Sequence, residues 1–100
     1  MSVTKTDFHA IKELREQFTP AQRGVISAAE EGRIAAILEL DKRDNIQLQN
    51  ARDMSAMLYG QWAEAARQAG KTQQCMELMD AMSAVTGVID KEKCRRGMPV

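Results

Sequence analysis

Apolar side chains recur along this chain at steps of three and four, the spacing that gathers them on one face of a helix. The first set is Ile11, Leu14 and Phe18, with Phe8 on the flank of the stripe and Thr6 placed to cap the helix that carries it. Thr19, Pro20, Ala21 and Gln22 then combine a capping hydroxyl, a first-turn proline and a glutamine three residues past the cap. A second helix is expected to start there and run to about Glu31. Gly32 offers a break, and Ile34, Ile37 and Leu38 make a short third face beyond it.

The polar run Asp41, Lys42, Arg43, Asp44 has two readings. Asp44 followed by Gln47 resembles a cap, which would open a new helix; the same residues fit equally well on the wet face of one long helix from Arg33 to Ala69. Past the run, Leu48, Ala51, Ser55, Leu58, Trp62, Ala65 and Ala69 form a heptad-like seam rich in small residues. Gly70 stops this helix and Thr72 caps the next, so the two fold back as an antiparallel hairpin. Cys75, Leu78, Met82 and Val85 supply the matching stripe, with Met79 and Thr86 beside it, until Gly87 and Val88 end the helix. Trp62 and Leu58 should then face Leu78 and Met82. The pattern predicts an all-α fold, a compact bundle of four to five helices with the hairpin in its C-terminal half. Residues 1–100 make a single helical domain whose basic tail, from about residue 90 and including Lys91 to Arg96, lies in solvent.

Composition narrows the partners. A chain of 100 residues that is 44% hydrophobic and 28% charged suits one soluble domain. Lys plus Arg equals Asp plus Glu at 14 each, so the chain lacks the positive excess that drives direct nucleic-acid binding. The longest aliphatic run, Ile34 to Leu38, falls far short of the roughly 20 residues that span a bilayer, and no membrane contact is expected. Met1 to Ala10 has no apolar core of a secretory signal, which points to the cytoplasm. Cys75 and Cys94 sit far apart without a Cys-x-x-Cys pair or a histidine cluster, as reduced thiols would.

Catalysis needs convergent polar groups, and the chain holds one histidine and one tyrosine. His9 falls on the side of its helix away from Leu14, and Ser27 and Ser83 have no histidine at a suggestive spacing; no enzyme, cofactor or metal is expected. Gly70, Lys71 and Thr72 look like the end of a phosphate loop but lack the second glycine five residues earlier. A helix-turn-helix over Gln22 to Arg43, with Ala28 inside, Gly32 at the turn and Leu38 holding the second helix, would offer Glu39 and Asp41 to DNA, the wrong sign for the task.

What remains is surface. Glu30, Glu31, Glu39, Asp41 and Asp44 cluster in sequence and could present an acidic patch to a basic partner, although Arg33, Lys42 and Arg43 among them suit an ion-paired wet face. Met57 and Tyr59 flank opposite edges of the Leu58–Trp62 seam, and Met76 lies on the polar side of its helix near Asp80 and Ser83. Methionine adapts its shape and aromatics anchor interfaces, so these form a candidate protein-binding rim, with burial in the bundle as the plain alternative.

Ala28 to Ile34, followed by Ile37, Leu40, Asp41 and Arg43, resembles the helix-Gly-helix passage of the flagellar filament-cap export chaperones, with Arg33, Ile34 and Ala35 standing where an acidic-aromatic pair is common in that family. That likeness implies a small helical adaptor holding an amphipathic helix of its partner. The whole chain also resembles the small helical anti-CRISPR proteins that phages and mobile elements encode, in size, in its lack of catalytic residues and of targeting signals, and in its interaction-ready helical surface. This second resemblance implies a stoichiometric inhibitor that docks on a CRISPR surveillance complex or effector in the host cytoplasm and prevents target DNA from being engaged. The acidic group from Glu30 to Asp44 would then face arginines and lysines that normally hold nucleic acid. A small DNA-binding regulator is the third class, and a homodimer is compatible with the Trp62 seam.

Overall fold

The computed structural model describes residues 5–17 and 26–99. It is all-α: α1 spans Lys5–Gln17, α2 Ala28–Leu38, a single 3-10 turn Leu40–Lys42, α3 Asn45–Gln68 and α4 Thr72–Arg95. The hairpin of α3 and α4 is the spine, α1 packs on α3, and α2 packs on α4 and on α1. At about 1.5 Å rise per residue, each 24-residue hairpin helix runs nearly the whole 40 Å length of the molecule.

The hairpin turn forms as its sequence predicts. Gly70 takes φ +76°, its amide bonds to the Arg67 carbonyl, and the Lys71 amide bonds to the Ala66 carbonyl, which together satisfy the last carbonyls of α3. Thr72 is not the cap of α4, however. It is the first helical residue, and Lys71 occupies the N-cap without a side-chain hydrogen bond.

Two glycines expected to break helices lie inside them. α2 crosses Gly32 without interruption because its start is fixed elsewhere, by Ser27 and Glu30 in a reciprocal capping box. The residues proposed to begin that helix, Thr19 to Gln22, lie outside the described part of the chain, as does Phe18. α4 likewise crosses Gly87 and ends eight residues later at Arg95, where Gly97 at φ +77° makes the same two-bond stop seen at Gly70. The expected solvated tail is therefore the last two turns of a packed helix, with Lys93 buried and Met98 packed on the core. Thr6 falls within α1 and does not precede it.

Near Asp41 the helix is broken. Glu39 ends α2 in the left-handed conformation at φ 53°, the 3-10 turn follows, and Asp44 and Gln47 form a second capping box that starts α3. Two arginines fasten this corner. Arg43 donates from Nε to the Leu38 carbonyl at 2.6 Å and pairs with Asp7 of α1 at 2.5 Å. Arg96, from the far end of the chain, donates to the carbonyls of Leu40 and Arg43 at 2.8 and 2.7 Å while its Nε holds Glu92.

The core is built by Ile11 and Leu14 of α1, Ile34 and Leu38 of α2, Leu48, Met54, Leu58 and Tyr59 of α3, and Leu78, Val85 and Ile89 of α4. Leu58 and Leu78 are buried in it as expected, while Trp62 and Met82 are only partly buried. The α3 stripe is also wider than the heptad seam: Ala63 and Ala66 are buried, whereas Ala65 and Ala69 are exposed. The cause is that α3 serves two neighbours, α4 on one flank and α1 on another, so one a/d seam cannot cover both contacts.

Gly32 supplies a direct check on helix continuity. A Cβ built there meets nothing within 4 Å, and the residue is exposed in mid-helix, so Gly32→Ala should raise stability by about 0.5 to 1 kcal/mol. Urea unfolding of the variant reads this directly; a loss of stability would mean that the helix does not pass through this position.

Candidate interaction surface

The acidic residues are dispersed and locally engaged. Glu30 and Asp44 each belong to a capping box, Glu31 pairs with Lys91 of α4 at 2.8 Å, and Glu39 pairs with Lys42 at 3.6 Å. Asp41 is exposed on the 3-10 turn. What reads as a run of like charge in sequence is thus divided among two helix starts, a cross-helix pair and a turn, because a left-handed residue and a 3-10 turn separate α2 from α3.

The methionine and tyrosine residues also part company. Tyr59 is fully buried, its ring edge against Trp62 with centroids 5.3 Å apart, so it does not belong to a surface rim. Burial pushes the Tyr59 phenol well above the ordinary tyrosine range, with Arg15 opposing the shift, and its hydroxyl has no hydrogen-bond partner among the described residues. Met57 and Met76 are exposed, at 49% and 36%, on different helices. His9 is exposed, as its helix position predicts, and Cys75 and Cys94 are free thiols, the first half-buried and the second exposed.

Sequence reasoning missed Met79, which is 51% exposed although it was assigned to the flank of the inner stripe. Taken at about 100° per residue, Met76, Met79 and Ser83 fall within roughly 60° of one another on the side of α4 opposite Leu78 and Val85. Arg52 of α3 and Asp90 of α4 lie 3.5 Å apart across the hairpin. By the same angular count Met79 lies on Asp90's flank, and Ala56, Gly60 and Ala63 on Arg52's flank. That flank carries small residues on α3, of which Gly60 is exposed, Ala56 partly buried and Ala63 buried, and the half-exposed Met79 on α4. Gly60 has free space where a side chain would stand. The signal was present in the sequence as Ala56, Gly60 and Ala63 at steps of four and three, but it looks the same as a buried helix contact until the partners of each face are known.

A second surface feature lies at the turn end. Arg15 of α1 stacks its guanidinium 4.7 Å from the centroid of the Trp62 ring, and the two border a recess of about 210 Å³ completed by Ala65, Ala66, Ala69, Lys71 and Gln74. Among the described residues there is no group of three or more His, Cys, Asp or Glu side chains able to hold a metal ion, and no helix is long and apolar enough to cross a membrane.

Comparison with protein-family models, with characterised proteins and with solved structures finds no match to this chain.

Proposed function

We propose that this chain is a non-catalytic, stoichiometric inhibitor encoded by a phage or mobile element, which docks on a CRISPR surveillance complex in the host cytoplasm and occludes a surface needed for target DNA. The observation that carries the reading is the outer face of α4, where Met79 and Met76 stand half exposed on one side of the hairpin. Apolar methionines on a rigid two-helix platform let a partner pack closely at little conformational cost to the inhibitor backbone. The acidic side chains take a secondary part, since their local pairing leaves less charge to steer a basic partner.

The test is plasmid protection in cells with active CRISPR interference, together with pull-down of the surveillance complex. Wild-type chain should protect the plasmid and co-purify with the complex. Met79→Asp, which places a charge on the outer face without touching the core, should lose both while keeping wild-type helicity. Absence of protection and of complex binding by the wild-type chain overturns the reading; retention of both by Met79→Asp overturns the assignment of the face.

A further inference from the structure

The recess at the turn end of the hairpin has a charge pattern that the fold does not use. Its lining includes two cations, Arg15 and Lys71, and no carboxylate. Neither cation forms a salt bridge with a described residue, while other basic residues do: Arg67 is held by Glu64, and, at the far end of α4, Arg95 and Arg96 by Glu92 and Lys91 by Glu31. At this end of α3 the carbonyls of Ala65, Ala66 and Arg67 accept from the amides of Ala69, Lys71 and Gly70, which reduces their negative potential toward the recess. The start of α4 adds to the positive potential, since its N-cap, Lys71, supplies no acceptor to the first-turn amides. Arg15 is also positioned in advance, its guanidinium resting on the Trp62 ring, which leaves its N–H edges available to a ligand.

We propose that this recess binds a carboxylate on a short aliphatic stem, the glutamate or aspartate side chain of an acidic protein segment. Ala65, Ala66 and Ala69 give the stem an apolar wall, Arg15 and Lys71 take the two oxygens, and the Gln74 amide adds a donor at the rim. A nucleic acid fits less well. The Trp62 face that could stack a base carries Arg15, the volume of about 210 Å³ suits one side chain, and two cations are too few to follow a phosphate backbone. The inference rests on the protein-binding reading only in choosing a peptide as the ligand.

Trp62 is the one tryptophan of the chain, so its indole resonance and fluorescence report on the recess alone. N-acetyl-glutamyl-alaninamide should shift the indole signal with Kd on the order of a millimolar, a value suited to a ligand of this size. The glutaminyl counterpart should bind at least about tenfold more weakly, and Arg15→Gln or Lys71→Gln should each lower affinity for the glutamyl peptide about tenfold. Lys71 is exposed, so its variant keeps the fold, which circular dichroism verifies. Equal binding of the two peptides, tighter binding of inorganic phosphate or a short single-stranded oligonucleotide, or unchanged affinity in the Arg15→Gln, Lys71→Gln double variant would overturn the proposal. These titrations use the isolated chain, so their failure leaves the plasmid-protection result standing, and the reverse holds as well.

Discussion

Replacing Arg96 by alanine is expected to destabilise the protein by about 3 kcal/mol, a large share of what a domain of this size possesses. The guanidinium reaches the carbonyls of Leu40 and Arg43 at the α2–α3 corner and holds Glu92 on its own helix. Its loss strips the Arg43 carbonyl of its donor in a part-buried corner, at about 1 to 3 kcal/mol for a group left unsatisfied, leaves the Leu40 carbonyl with the Arg43 amide alone, and removes a charged partner of Glu92. Arg96→Lys should restore little, because a single ammonium cannot span both carbonyls and a carboxylate as a planar fork does. Urea unfolding of both variants measures the effect, and an alanine variant within 1 kcal/mol of wild type on the order-of-magnitude scale of a single exposed pair would contradict the assigned role.

The same site sets an acid limit. Hydrogen bonds from Arg95 and Arg96 hold the Glu92 carboxyl down at about 2, below its ordinary value of 4.5. Because the folded state keeps this group ionised longer than the unfolded chain does, its contribution is complete above the ordinary value and is lost as pH falls from about 4.5 toward 2. Acid titration of stability should show a shallower slope in that window for Glu92→Gln than for wild type.

Tyr59→Ala should be the most damaging core substitution tested, at about 3 to 5 kcal/mol, since it empties an aromatic volume between α3 and its neighbours and removes the edge contact with Trp62. Tyr59→Phe separates the ring from the hydroxyl. The buried hydroxyl makes no hydrogen bond to a described residue, so its removal should leave stability unchanged or raise it by about 1 kcal/mol. Alkaline titration tells the two states apart: burial holds the phenol neutral above its ordinary value of 10.0, so wild type should lose stability as pH rises past that point. Tyr59→Phe should lack that alkaline loss, and an identical alkaline limb in the two proteins would place the phenol in water.

The hairpin, the all-α class and the inner stripes of α1 and α4 were legible because helical period and the Gly70 stop are local signals. Boundaries failed where a local signal had a competitor. Gly32 and Gly87 look like stops, yet a glycine in mid-helix costs only about 1 kcal/mol, and the Ser27–Glu30 box and the packing of Val88 and Ile89 outweigh that. Asp41 to Asp44 admitted both a break and a continuous helix until Arg43 and Arg96 were seen to fasten the corner. Surface sites were harder still. Tyr59 and Met79 each stand near the edge of a stripe, and whether an edge residue is buried depends on which neighbouring helix covers that side, information carried by tertiary packing alone.

The reach of Arg96 also imposes an order of events on folding. Its partners at the corner are 51 to 56 residues earlier in the chain, so during synthesis the corner emerges long before the residue that closes it. Until then the corner is held by the Arg43 amide on the Leu40 carbonyl and by the Arg43 side chain on Leu38 and Asp7. In the finished protein the dependence runs backwards: unwinding of the final turn of α4 loosens the corner in the middle of the sequence. Amide exchange at Lys42 and Arg43, whose N–H groups close the turn at this corner, should therefore rise and fall with exchange at Arg95 and Arg96, two distant stretches opening as one cooperative unit.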